Sequence, residues 1–133
     1  VWSVSSFNML RKDGMEVENE NVKNASNKSK ESFVTKSFSE HDIPTVASTD
    51  YMRAYSEQIR PYINSPYYTL GTDGFGRSDS RAKLREFFEI DARSIVMTAA
   101  YALNKEDQLN KKELQKIYKE IKVNKNKISP WNT

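Results

Sequence analysis

Gly71-Thr72-Asp73-Gly74-Phe75-Gly76-Arg77-Ser78-Asp79-Ser80-Arg81 holds three of the chain's four glycines. The apolar run Tyr67-Tyr68-Thr69-Leu70 leads into it as a strand over 67–71, and a stretch with helically spaced apolar residues, Leu84, Phe87 and Phe88, follows. Strand, glycine turn and helix in that order make a crossover unit. The same order also builds phosphate cradles, where free N–H groups at a helix start meet the anion. The spacing argues against a cradle. These glycines fall G-x-x-G-x-G, not in the G-x-G-x-x-G dinucleotide pattern, and no G-x-x-x-x-G-K-S/T is present. Asp73 would repel phosphate, whereas Arg77 and Arg81 would attract it. The structural reading is preferred: Gly74 and Gly76 supply backbone angles closed to side chains, and Asp79 or Ser80 caps the next helix. Phe75 then anchors the turn as core, and Arg77 pairs with Asp73 or Asp79.

Outward from the turn, strands and helices alternate. Val1-Trp2-Ser3-Val4 reads as a strand already under way, which implies a piece of a longer protein. Residues 7–13 form a short helix, with Gly14 placed for the left-handed C-terminal residue. Residues 16–30 are rich in Asn, Ser, Lys and Glu and read as a mobile loop. Val34 and Phe38 share one face of a short helix. Residues 43–48 form a strand, and Thr49 or Asp50 caps a helix whose Tyr51, Tyr55 and Ile59 face the core. Asp91 caps a helix with the apolar stripe Ile95, Val96, Ala99, Ala100 and Leu103. Asn110 and Glu113 form a capping box for a terminal helix over 110–122. The expectation is a single α/β domain over 1–133, three-layered, with a mostly parallel sheet and helices on both faces.

The chemistry available is narrow. Without cysteine there is no disulfide, thiolate nucleophile or thiolate metal site. His41, the one histidine, sits beside Asp42 in a polar turn and reads as a solvated loop residue. No apolar run reaches membrane-spanning length. From Asn104 onward eight Lys face four acids, which would suit nucleic acid, but without Arg a solvated helix face is the better reading.

Three blocks carry a family resemblance: Val-Trp-Ser-Val at 1–4, Val-Ala-Ser-Thr-Asp-Tyr-Met at 46–52, and Leu-Gly-Thr-Asp-Gly-Phe-Gly-Arg-Ser-Asp-Ser-Arg at 70–81. Arg60-Pro61-Tyr62, Leu84-Arg85 and Phe88-Glu89-Ile90-Asp91 add to it. The chain resembles the C-terminal part of the homodimeric bacterial pyruvate dehydrogenase family, and more loosely the last domain of transketolase. Loop 16–30 lacks the Trp-Asn and His-Pro elements of that pattern, and the ending at 127–133 is the chain's own.

The resemblance implies an oxidoreductase of the cytoplasm that decarboxylates pyruvate with thiamine diphosphate and magnesium. It then reductively acetylates the lipoyl group of a dihydrolipoyl acetyltransferase within a multienzyme complex. No catalytic, cofactor-binding or metal residue is carried onto this chain, which is expected to be inactive alone and to support the homodimer. Neither nucleic acid nor membrane is an expected partner. Asp73, Gly74, Phe75, Gly76, Arg77, Ser78, Asp79 and Arg81 remain as a structural turn or candidate interface. The alternative is an independent anion- or nucleotide-binding regulatory module using Arg77 and Arg81.

Overall fold

In the computed structural model, residues 1–25, 29–39 and 42–132 are described. The order is α1 (Phe7–Asn24), α2 (Phe33–Phe38), β1 (Thr45–Ser48), α3 (Ala54–Glu57), a 3₁₀ turn (Arg60–Tyr62) and β2 (Tyr67–Leu70). After these come α4 (Arg81–Phe87), α5 (Ala92–Lys105), α6 (Lys111–Glu120) and a last 3₁₀ turn (Pro130–Asn132). The chain is therefore mixed α/β. Its sheet, among the described residues, is one parallel pair in which Thr45 lies opposite Tyr67 and Ser48 opposite Leu70.

Successive strand side chains point to opposite faces, and this divides the core in two. Ala47 and Tyr67 face a cluster of Val34, Ile59 and Ile63, with Phe7 and Leu10 of α1 and Phe38 of α2 packed around it. Val46 and Leu70 face the other way, onto Phe88 and Ile90 with Leu84 and Phe87 of α4. Tyr68 meets Tyr101 of α5 edge-on, ring centres 6.2 Å apart. Polar groups close the first face. Tyr67 donates its hydroxyl to Ser56 O at 2.8 Å, Thr35 Oγ1 donates to Tyr62 O at 2.9 Å, and Thr69 Oγ1 donates to Glu57 at 2.5 Å. Arg60 grips both Glu57 oxygens, at 2.5 and 2.8 Å, and reaches Tyr67 O at 2.7 Å. The Arg60 hydrogen bond holds the Glu57 carboxyl below the usual carboxylate range, while burial pushes the Tyr67 phenol above its usual value.

The capping signals of α4, α5 and α6 hold. Ser80 Oγ accepts from Lys83 N, Asp91 Oδ1 from Ser94 N, and Asn110 and Glu113 close a reciprocal box at 3.0 and 3.1 Å. α4, α5 and α6 are followed by left-handed residues that are not glycine: Glu89 (φ 59), Asp107 (φ 58) and Lys122 (φ 52). In each case a backbone N–H one residue further on returns five residues, as Ile90 N does to Arg85 O at 3.0 Å.

Several expectations are overturned. Residues 1–4 join no strand; they are exposed, and Trp2 lies against Phe38 with ring centres 5.7 Å apart. Gly14 does not end the first helix. It is buried inside α1, where any Cβ would collide with the Tyr62 ring, so glycine lets helix and ring approach. Much of the supposed loop 16–30 is accordingly helical, through Asn24, and the left-handed cap is Ala25 (φ 40). The Asn21 side chain then bridges to Lys30, donating to its carbonyl at 2.9 Å and accepting from its N–H at 2.8 Å. Neither Thr49 nor Asp50 caps α3, whose N-cap is Arg53. Of the three residues assigned to its inner face, only Ile59 is core; Tyr51 is 67% exposed and pairs with the exposed Tyr55 at 5.1 Å. On α5, Ala100 is buried but Ile95 and Val96 are exposed. His41 and part of loop 16–30 lie outside the described residues.

Candidate functional site

β2 delivers the chain into the glycine turn, and the glycines there differ in purpose. Gly71 is fixed by close approach: a Cβ would lie 2.6 Å from Arg53 N and 2.7 Å from Tyr51 O, because Thr72 N donates to Tyr51 O at 2.9 Å. Gly74 is fixed by its dihedral, φ +112, a region that side chains rarely enter. Gly76 has neither constraint, since the space around it is open and no positive φ requires it. The structural reading therefore holds for Gly74 and not for Gly76.

Asp73 anchors the turn instead of the expected Phe75. Its Oδ1 accepts from Arg53 N at 3.1 Å, and its Oδ2 lies 3.2 Å from Arg53 Nε. The second contact is an ion pair without hydrogen-bond alignment, which leaves Arg53 Nε enclosed and unbonded. Phe75 is 83% exposed and takes no part in a core. Arg77 pairs with neither Asp73 nor Asp79; its guanidinium lies 4.1 Å from the centre of the Phe87 ring, a cation–π contact. Asp79 accepts from Ser80 N at 2.7 Å, Ser80 makes the cap, and Ser78 is exposed. Arg81 is exposed and forms no ion pair among the described residues.

Between the turn and α4 opens a groove of about 490 Å³. Its floor is Leu84, Phe88 and Ile90, and Arg77, Arg81 and Arg85 stand at its walls with Asp50 and Asp79. Arg85 and Asp50 pair at 3.5 Å. The structure thus brings Gly74, Gly76, Arg77, Asp79 and Arg81 to one cavity, and leaves Asp73 turned away onto Arg53. Sequence reasoning missed Arg53, Arg85 and Lys127. Arg85 stands in the Leu84-Arg85 pair that carries the resemblance, but none of the three showed its partner, since each acts on a segment at least twenty residues away.

This geometry is a parallel ribbon flanked by helices, with a glycine turn braced by an aspartate. Residues 1–91 match the transketolase-like C-terminal domain, and the chain belongs to that family. Within it, the chain matches the C-terminal region of bacterial pyruvate dehydrogenase E1 components. It is 53% identical over 104 residues to the one from Pseudomonas aeruginosa, covering 77% of this chain. It is 41% identical over 132 residues to that of Cupriavidus necator and 38% over 131 to that of Escherichia coli, covering 99% and 98% of this chain. The chain spans only 12%, 15% and 14% of those relatives' lengths. Among the described residues no helix is long and apolar enough to cross a membrane.

Proposed function

We propose that this region is the C-terminal domain of a bacterial, cytoplasmic pyruvate dehydrogenase, and that it completes and supports the homodimer without supplying catalytic groups. The observation that carries this reading is the likeness along nearly the whole chain to relatives of that name. The parent enzyme then decarboxylates pyruvate with thiamine diphosphate and magnesium, and acetylates the lipoyl group of a dihydrolipoyl acetyltransferase in its complex. In the same reading, the ribbon and its two helical flanks correspond to the family's three-layer, mostly parallel arrangement.

The described residues do not fit a site for that cofactor. Asp73, the acid of the Thr72-Asp73-Gly74 sequence, has both oxygens turned to Arg53, and no group of three or more His, Asp or Glu among the described residues could hold a metal. No step of the reaction is therefore assigned to them. Calorimetric titration of the 133-residue chain with thiamine diphosphate and magnesium is expected to show no micromolar binding. Deleting the region from the intact enzyme is expected to weaken the dimer in sedimentation. Micromolar cofactor binding by the chain alone would overturn the reading.

The groove's three arginines favour a second reading, an anion- or nucleotide-binding module. Phosphate would then raise the melting temperature by linkage. Asp50 and Asp79 on the same walls, and the stacking of Arg77, speak for no phosphate effect.

A further inference from the structure

Phe75 stands on a turn that owes none of its shape to the ring, and leaves that large apolar group in water. Its neighbours Gly74 and Gly76 both line the groove, so the ring is carried on the groove's edge. Nothing crowds that edge, because the space around Gly76 is open. The floor below it is apolar, built by Leu84 with Phe88 and Ile90.

The charged walls are out of balance. Three arginines stand against two aspartates, and both aspartates are engaged: Asp79 accepts from Ser80 N at 2.7 Å, and Asp50 pairs with Arg85 at 3.5 Å. Neither Arg77 nor Arg81 has a carboxylate partner among the described residues. Arg77 uses only the face of its guanidinium, on the Phe87 ring; the N–H donors of a planar guanidinium lie in its plane, clear of that ring. Two groups with donors to give thus flank an apolar floor edged by an exposed aromatic ring. An apolar centre, a charged rim and anchoring Arg and Phe side chains are the make-up of a protein-docking surface. Free phosphate would use the arginines and leave the floor and Phe75 in water.

We propose that this groove docks a segment of a protein partner in which a bulky apolar side chain is flanked by carboxylates. The apolar side chain lies over Leu84 and against Phe75, and the carboxylates pair with Arg77 and Arg81. Charge complementarity selects this occupant, since a basic segment would add cations to arginines that already lack counter-charges. The docking role adds a partner to the domain's supporting role and does not depend on it.

The test is fluorescence anisotropy, with the 133-residue chain titrated into a labelled synthetic peptide, Glu-Glu-Leu-Phe-Glu-Glu. This probe is expected to bind saturably, on the order of tenfold more tightly than versions with lysine for glutamate or serine for Leu-Phe. Arg81→Gln is expected to weaken binding about threefold, the scale of one exposed ion pair. Phe75→Ala is expected to weaken it about fivefold. Neither change removes packing or an ion pair seen in the fold. Lys112→Gln removes the same charge from α6, off the groove, and is expected to leave binding unchanged. Inorganic phosphate, at ionic strength matched with chloride, is expected not to displace the probe. Absence of saturable binding overturns the docking site, as does equal binding of either control peptide or unchanged binding by Arg81→Gln and Phe75→Ala. Displacement by phosphate overturns it in favour of a simple anion site. A dimer in sedimentation that Phe75→Ala dissolves overturns it in favour of a second copy of this chain.

Discussion

The two faces of the β1–β2 ribbon are finished differently. On the Ala47 and Tyr67 face, apolar packing is sealed by polar groups that all find partners: Tyr67 on Ser56, Thr35 on Tyr62, and Thr69 and Arg60 on Glu57. On the Val46 and Leu70 face, Phe88 and Ile90 sit under an open groove whose charged walls are only loosely paired. Interior groups that are fully bonded are costly to disturb, because removing one partner strands the other away from water. The difference teaches that rigidity is concentrated on the first face, and that the second is where the molecule can accept change.

The sharpest way to break that contrast is a truncation on each face. Ile59 is 3% exposed, and Ile59→Ala is expected to cost ~2–5 kcal/mol in chemical denaturation. Leu84 on the groove face is only partly buried, and Leu84→Ala is expected to cost on the order of 1 kcal/mol. Equal losses would erase the distinction. Next, Gly74→Ala forces a side chain toward φ +112 and against Pro130, which is expected to cost ~1–3 kcal/mol in thermal melts. Tyr67→Phe leaves the Ser56 carbonyl without its buried donor, at about 1–3 kcal/mol.

A smaller effect is expected from pH. Glu57 has its folded pKa lowered, so its contribution is full above the unfolded carboxylate value and fades as pH falls through the folded one. The acid limb of a stability–pH curve should therefore flatten in Glu57→Gln. Tyr67 has the opposite sign: its raised pKa gives a contribution present below the usual phenol value of 10.0 and lost as pH climbs past it. Least of all, Phe75→Ala should alter stability by no more than ~0.5 kcal/mol, since the ring is in solvent. A loss of several kcal/mol there would show that the turn is a core element after all.

What could be read in advance was what short-range chemistry writes into adjacent residues. Asp91 with Ser94, Ser80 with Lys83, and Asn110 with Glu113 complete their hydrogen bonds within one turn, so spacing alone reveals them. The strands at 45–48 and 67–70 announced themselves by β-branched and aromatic residues. What escaped depends on distant partners. The second half of α1 is polar and ends on a left-handed alanine, and its Asn21 bonds to Lys30 nine residues away. Gly14 resembled a helix stop because the ring of Tyr62, which explains it, lies 48 residues on. In the site, the glycines and flanking arginines were legible as a group. Their brace was not, since Arg53 reaches Asp73 of the turn only through the folded chain.

The parallel pairing of Thr45 with Tyr67 has a kinetic consequence. Two parallel strands cannot meet through a tight hairpin; the whole crossover between them must first be gathered, and the entropy of closing that loop is spent before the ladder gains anything. Here the crossover carries its own compensation, because Arg60 and Ser56 within it bond directly to Tyr67 as it arrives. Ribbon and crossover should therefore appear in a single step during refolding, with α6, stapled by its local capping box, free to form ahead of them.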